Sequence, residues 1–158
     1  MPGAELEWIL DTGTGNDLCP AGTAGTRIKK DTMMSIETAN GIVKPDTAVS
    51  IGLDKLDEDA DCVELAQTVH ALSVGRRCAQ HGYSFHWDAF ESKPMFKGPN
   101  GDYVELTVEN FVPLIKSGVR PAAGGSRRKV QCMAAKAAPG AGGNAAGEPA
   151  CTRHTPSS

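Results

Sequence analysis

Apolar and polar residues alternate with a period of two along several short stretches of the first 116 residues. A period of two places successive side chains on opposite faces of a β-strand. The pattern therefore predicts an all-β body, which we expect to be a small closed barrel. The alternating apolar positions are Leu6, Trp8 and Leu10, then Val49, Ile51 and Leu53, and later Val104, Leu106 and Val108.

Two Asn-Gly pairs lie between β-prone segments. Asn40-Gly41 follows residues 34–38, and Asn100-Gly101 follows residues 95–97. A type I′ turn needs positive φ at both central residues, which Asn and Gly accept, so each pair predicts a tight hairpin. Helix signals are few, and we expect at most one short helix, after Gly75.

The composition changes abruptly after Lys116. Residues 117–158 contain ten alanines, seven glycines and four prolines, and no Leu, Ile, Phe, Tyr or Trp. Such a segment cannot bury enough apolar surface to offset the entropy lost on ordering. We therefore expect one domain over residues 5–116 and a disordered, Ala/Gly/Pro-rich basic tail over residues 117–158.

The charge divides at the same place. Residues 1–116 carry 18 acidic and 10 basic residues, a net charge of −8, whereas residues 117–158 have a net charge of +5. Phosphate binding requires clustered positive charge, so the acidic body is not expected to bind nucleic acid. Weak contact through the tail is the one nucleic-acid interaction that this distribution allows.

The cysteines and the apolar runs indicate the compartment. The five cysteines are irregularly spaced and form no C-x-x-C motif, and no secretory signal precedes them, so we expect free thiols in an intracellular, cytoplasmic protein. No apolar run reaches 18 residues, and no membrane contact is expected. Cys78, His81 and His86 have a metal-like spacing but lack a fourth ligand, so we expect neither a metal nor another cofactor.

One segment carries candidate chemistry. An apolar strand ends in Asp11-Thr12-Gly13, which places a carboxylate in a glycine-containing turn. A buried carboxylate is costly unless it is paired or hydrogen-bonded. Catalysis is one explanation for such an aspartate. An Asp that merely accepts backbone N–H bonds in a strand-end turn explains the tripeptide equally well.

The segment Trp-Ile-Leu-Asp-Thr-Gly at residues 8–13 resembles the active-site signature of retropepsin-like aspartic proteases, particularly those of copia-type retrotransposon polyproteins. The hairpin tip Ala39-Asn40-Gly41 resembles the flap of that family. Val74-Gly75-Arg76, after the apolar residues 71–72, resembles the loop behind the active site. Residues 82–87 and the hairpin after them are similar to the last strands. The resemblance covers roughly residues 5–115 and implies a barrel of the acid-protease type.

The resemblance also implies a mechanism. Asp11, Thr12 and Gly13 would be the catalytic residues, and the family needs two carboxyl groups that share one proton. The chain contains one Asp-Thr-Gly. A two-fold homodimer supplies the second Asp11, because an isologous contact brings the same residue of both chains together. The expected substrate is a polypeptide, namely the element's own polyprotein.

Two other functions stay open. Asp-Thr-Gly-Thr-Gly at residues 11–15 also resembles the first phosphate loop of actin-like sugar kinases and the aspartyl-phosphate turn of haloacid-dehalogenase-type enzymes. No Walker-type glycine loop accompanies it, and the dehalogenase turn has a second Asp where Gly13 stands. The other alternative is a non-catalytic dimerisation or interaction module on the same fold, derived from a truncated retroelement.

Overall fold

The computed structural model describes residues 4–29, 34–38, 40–45 and 47–123. These residues form twelve strands and one helix. In chain order they are β1 (Glu5–Asp11), β2 (Leu18–Pro20), β3 (Thr26–Lys29), β4 (Ile36–Thr38), β5 (Gly41–Val43), β6 (Thr47–Leu53), β7 (Glu58–Leu65), β8 (Ala71–Ser73), α1 (Val74–His81), β9 (Ser84–His86), β10 (Met95–Lys97), β11 (Thr107–Glu109) and β12 (Val112–Pro121).

Six of the strands close into a barrel. Around the barrel the order is β12, β1, β8, β2, β7 and β6, and β6 pairs with β12 to complete the circle. β1 runs parallel to β8 and β2 runs parallel to β7, whereas the other barrel pairs are antiparallel. β11 and β3 flank the barrel as edge strands. The predicted closed all-β barrel with one short helix is confirmed.

The alternating residues of the sequence form the core. Trp8 and Leu10 of β1 and Ile51 and Leu53 of β6 are buried together inside the barrel. Phe96 of β10 is fully buried and stacks on Tyr83, with ring centroids 4.9 Å apart. Burial of these large side chains is the main favourable contribution to folding.

The helix α1 begins directly after β8. The Ser73 Oγ accepts the backbone N–H of Arg76 and caps the first turn. The helix ends at Gly82, which has a φ of 76°, a conformation that glycine adopts without steric cost. Because β8 is parallel to β1, the first turn of α1 lies at the same end of the barrel as the end of β1.

β12 crosses the expected boundary between the domain and the tail. It continues to Pro121, and its second half pairs with β6, with Val119 opposite Leu53. Residues 117–121 therefore belong to the barrel. Their composition gave no sign of this, because backbone pairing rather than large apolar side chains holds them. Residues 124–158, the remainder of the predicted tail, lie outside the described residues.

Both Asn-Gly hairpins exist, but their turns differ from the expected type. Thr38 pairs with Gly41, so Gly41 begins β5 instead of lying at the centre of the first turn, and its φ is 115°. In the second hairpin the Gly101 N–H donates to the Gly98 carbonyl at 3.0 Å, and Gly101 has a φ of 89°. That geometry is typical of a three-residue loop with glycine in the left-handed position.

Candidate active site

Asp11 is the last residue of β1 and lies opposite Ser73 at the end of β8. The Gly13 N–H donates to the Asp11 Oδ1 at 2.7 Å, which turns the chain away from the strand. A Cβ on residue 13 would lie 3.2 Å from that oxygen, so the turn favours glycine. Asp11 is half-buried, and its carboxyl group is therefore partly accessible at this end of the barrel.

The rest of the tripeptide is uncovered. Thr12 and Gly13 are exposed, as is Gly15. The structure thus brings the three predicted catalytic residues together in one accessible turn. No other carboxyl group in the described part of the chain is bonded to Asp11.

A buried ion pair that the sequence analysis missed holds the end of the Asp11 loop, which is formed by residues 12–17 between β1 and β2. The Asp17 carboxylate accepts the Nη1 and Nη2 of Arg77 at 2.6 and 3.1 Å and the Ser73 N–H at 2.7 Å. Arg77 is 0% exposed and Asp17 is 2% exposed. Burial alone would lower the pKa of Arg77, but the carboxylates of Asp17 and Glu58 outweigh it and raise that pKa. Arg77 therefore stays charged inside the protein.

Further contacts attach the Asp11 loop to α1. The Ser73 Oγ donates to the Thr14 carbonyl at 2.7 Å, and the Arg76 guanidinium donates to the Asn16 Oδ1 at 3.3 Å. The second half of the loop, residues 14–17, is thus fixed to the start of the helix. Asp17 and Arg77 are 60 positions apart in the sequence. The periodicity of apolar residues does not indicate which distant charged residues pair, so this ion pair could not be predicted.

The predicted segment Val74-Gly75-Arg76 forms the first turn of α1. Within this segment the Arg76 side chain reaches the Asp11 loop, through Asn16. The deeper support comes from the next residue, Arg77, whose Nε also lies 2.9 Å from the Glu58 Oε1 in an ion pair. The segment therefore lies behind the Asp11 turn, and the residue after it makes the buried contact.

The predicted flap, the β4–β5 hairpin, is not part of the barrel sheet. β4 and β5 form a separate two-stranded sheet, in which the Thr38 Oγ1 donates to the Gly41 carbonyl and accepts the Asn40 N–H. Ala39 lies outside the described residues. Among those that are described, no hydrogen bond joins the hairpin to the Asp11 loop. Ile42 of β5 is 70% exposed, so the hairpin presents an apolar side chain to its surroundings.

A groove lies on the outer face of β1 and β12. Its volume is about 480 Å³, and Asp11 does not line it. His70 in its wall packs edge-on against Trp8, with ring centroids 4.8 Å apart, and burial lowers the pKa of His70. The groove is lined by Glu7, Ile9, Pro20, Thr68, Val69, His70, Glu109, Asn110, Val112 and Leu114.

The surroundings of Asp11 do not have the layout of a phosphate loop. After the turn the chain enters β2, whereas phosphate loops usually lead into a helix whose N-terminus binds the anion.

The two histidines with metal-like spacing bind different carboxylates, since His81 pairs with Glu58 and His86 pairs with Asp88. No helix within the described ranges is long and apolar enough to cross a membrane.

Comparisons with known proteins assign no family to this chain. No family model, curated protein or solved structure matches it.

Proposed function

We propose that the protein is an aspartic endopeptidase of the retropepsin type that works as a homodimer. The observation that carries the proposal is the Asp11 turn. A partly accessible carboxylate is held at the end of a barrel strand by a glycine N–H, and the loop behind it is fixed by the buried pair of Asp17 and Arg77. The resemblance of residues 8–13 to the retropepsin signature supports the same reaction.

The reaction follows from two Asp11 carboxyl groups, one from each chain. The ionised carboxylate accepts a proton from a water molecule, and the oxygen of that water attacks the carbonyl carbon of the peptide bond. The protonated carboxyl group donates its proton to the carbonyl oxygen. As the carbon–nitrogen bond breaks, the carboxyl group that took the proton of the water gives it to the leaving amine, and a hydroxyl proton of the tetrahedral intermediate returns to the other carboxylate. Because water is the nucleophile, no covalent enzyme intermediate forms.

The dimer supplies what one chain lacks. Thr12 and Gly13 are exposed beside Asp11, so a second copy can approach the turn closely. A two-fold axis beside this turn brings the two Asp11 carboxyl groups together. The substrate would then lie in an extended conformation between the two chains, covered by the β4–β5 hairpins.

The first prediction tests the role of Asp11 directly. Asp11→Asn keeps the shape of the side chain but removes the base, so cleavage of an unfolded peptide library should fall at least about a hundredfold. Asp88→Asn is the matched control, since Asp88 is an exposed carboxylate that pairs with His86. The wild-type rate should follow a bell-shaped pH profile, because one carboxyl group must be ionised and the other protonated. Cleavage retained by Asp11→Asn would overturn the proposal.

A second candidate function is a non-catalytic dimerisation module. The observation that favours it is that the groove on the outer face of β1 and β12 is not lined by Asp11. In that case the wild-type protein should dimerise without cleaving any peptide of the library at any pH between about 3 and 8. This range covers the pH values at which carboxyl groups and histidine titrate. Pepstatin-sensitive cleavage by the wild type would reject the module.

A further inference from the structure

The turn between β11 and β12 contains an aromatic residue in an unfavourable backbone conformation. Asn110 and Phe111 both have positive φ, 50° and 66°, as in a type I′ hairpin. Glycine is the usual second residue of such a turn, and a bulky side chain there is strained. The Phe111 side chain is also 90% exposed, so the barrel of a single chain gains no burial from the ring.

This turn lies at the Asp11 end of the barrel. β12 is antiparallel to β1 with Leu114 opposite Ile9, which places Val112 level with Asp11. The residues before Val112 therefore project beyond the end of β1. A two-fold axis beside Asp11 would bring the Phe111 turn of one copy close to the same region of the other.

The groove on β1 and β12 begins beside the turn. Asn110 and Val112, the two neighbours of Phe111, line it, and Ile9, Val69 and Leu114 contribute apolar surface. Val69 is 56% exposed on one wall. An isologous interface requires a patch that is complementary to itself. Here a projecting ring lies beside a groove of about 480 Å³ that has apolar residues in its lining and Glu7 and Glu109 among its polar ones.

We propose that Phe111 anchors the dimer, with the ring of each chain inserted into the groove of the other chain. The proposal rests on the proposed function, because it defines the interface of the same homodimer. It places the anchor next to the paired Asp11 turns, where a fixed separation of the two chains matters most. Aromatic side chains buried at the centre of an interface commonly provide much of its binding energy.

The chain contains a matched control for this anchor. Phe90 is 107% exposed and has a φ of 67°, in the loop between β9 and β10. Phe90→Gly and Phe111→Gly therefore remove the same ring and relieve the same backbone strain. Neither Phe90 nor the residues on either side of it in sequence line the groove.

The second prediction is measured by sedimentation equilibrium on the full chain. Phe111→Gly should raise the dimer dissociation constant at least about tenfold, and Phe90→Gly should leave it unchanged. The melting temperature of dilute protein should not fall for either variant, since glycine accepts positive φ. Phe111→Asn serves as a second variant, because asparagine also tolerates this conformation.

A variant in the wall of the groove tests whether the groove receives the Phe111 ring. Val69→Asp should weaken the dimer as Phe111→Gly does, and the two effects should not add, because the ring and Val69 belong to one contact. Dimerisation that is insensitive to Phe111→Gly would overturn the anchor. If a chain ending at Ala123 lost its dimer while Phe111→Gly kept it, the basic tail would be the occupant and the anchor would be wrong.

The two proposals can fail separately. Loss of cleavage in Asp11→Asn with an unchanged dimer in Phe111→Gly would keep the protease and reject the anchor. A Phe111-dependent dimer without any cleavage would keep the anchor and reject the protease. A wild-type protein that stays monomeric at every concentration would reject the anchor, and cleavage by that monomer would reject the Asp11 dyad as well.

Discussion

At the scale of single residues, Gly13 determines where the Asp11 carboxylate lies. Its N–H is 2.7 Å from the Asp11 Oδ1, and a Cβ at the same residue would be 3.2 Å from that oxygen. The glycine therefore acts twice, as a hydrogen-bond donor and through the absence of a side chain. A larger residue would push the carboxyl group away from the position that the turn defines.

The third prediction compares two glycines of this loop. Under the proposed protease function, Gly13→Ala should lower kcat/KM at least about tenfold, because displacing the Asp11 carboxyl group by a few tenths of an ångström weakens proton transfer. Gly15→Ala is the control, since nothing lies within 4 Å of a Cβ at that residue. Both variants should keep the melting temperature within a few degrees of the wild type. Equal kcat/KM values for the two variants would contradict this role of Gly13.

At the scale of elements, the Asp11 loop and α1 form one unit. Asp17, Ser73 and Arg77 connect the end of the loop, the end of β8 and the helix through buried hydrogen bonds. Glu58 of β7 extends the connection through its ion pair with Arg77. The loop that carries Asp11 is therefore anchored to two barrel strands and a helix.

The fourth prediction concerns that buried pair. Arg77→Met leaves the Asp17 carboxylate buried without its cation, so the free energy of unfolding should fall by about 3–5 kcal/mol. Arg27→Met is the control, because Arg27 pairs with Glu64 at the surface and is 54% exposed. Its effect in urea denaturation should be small. Equal losses in the two variants would show that burial does not set the strength of the Asp17 pair.

Elements with a clear alternating pattern could be predicted from sequence, and long-range pairs could not. Trp8, Leu10, Ile51 and Leu53 lie in the core as their period of two predicts. Positive φ at two successive turn residues occurs at Asn110-Phe111 and not at an Asn-Gly pair, because the pairing of Glu109 with Val112 leaves these two residues alone to form the turn. The Asp11 turn was found because its signal is local.

At the scale of the whole molecule, β12 closes the barrel. Its first half pairs with β1 and its second half pairs with β6. Arg120 strengthens the closure, because its Nη1 lies 3.2 Å from the Asp59 Oδ1 and its Nε lies 3.5 Å from the Asp54 Oδ1. The sequence analysis assigned residues 117–121 to the tail, because the backbone hydrogen bonds that hold them in the barrel leave no trace in their composition.

The fifth prediction follows from this closure and uses two truncations. A chain that ends at Ala123 keeps all of β12 and should melt at the temperature of the full chain, because the residues removed contain no Leu, Ile, Phe, Tyr or Trp. A chain that ends at Gly118 loses the pairing of Val119–Pro121 with β6 and should melt several degrees lower. Arg120→Met in the full chain separates the ion pairs from the backbone pairing and should lower the melting temperature less. Equal melting temperatures for the two truncations would show that the pairing of β12 with β6 does not stabilise the barrel.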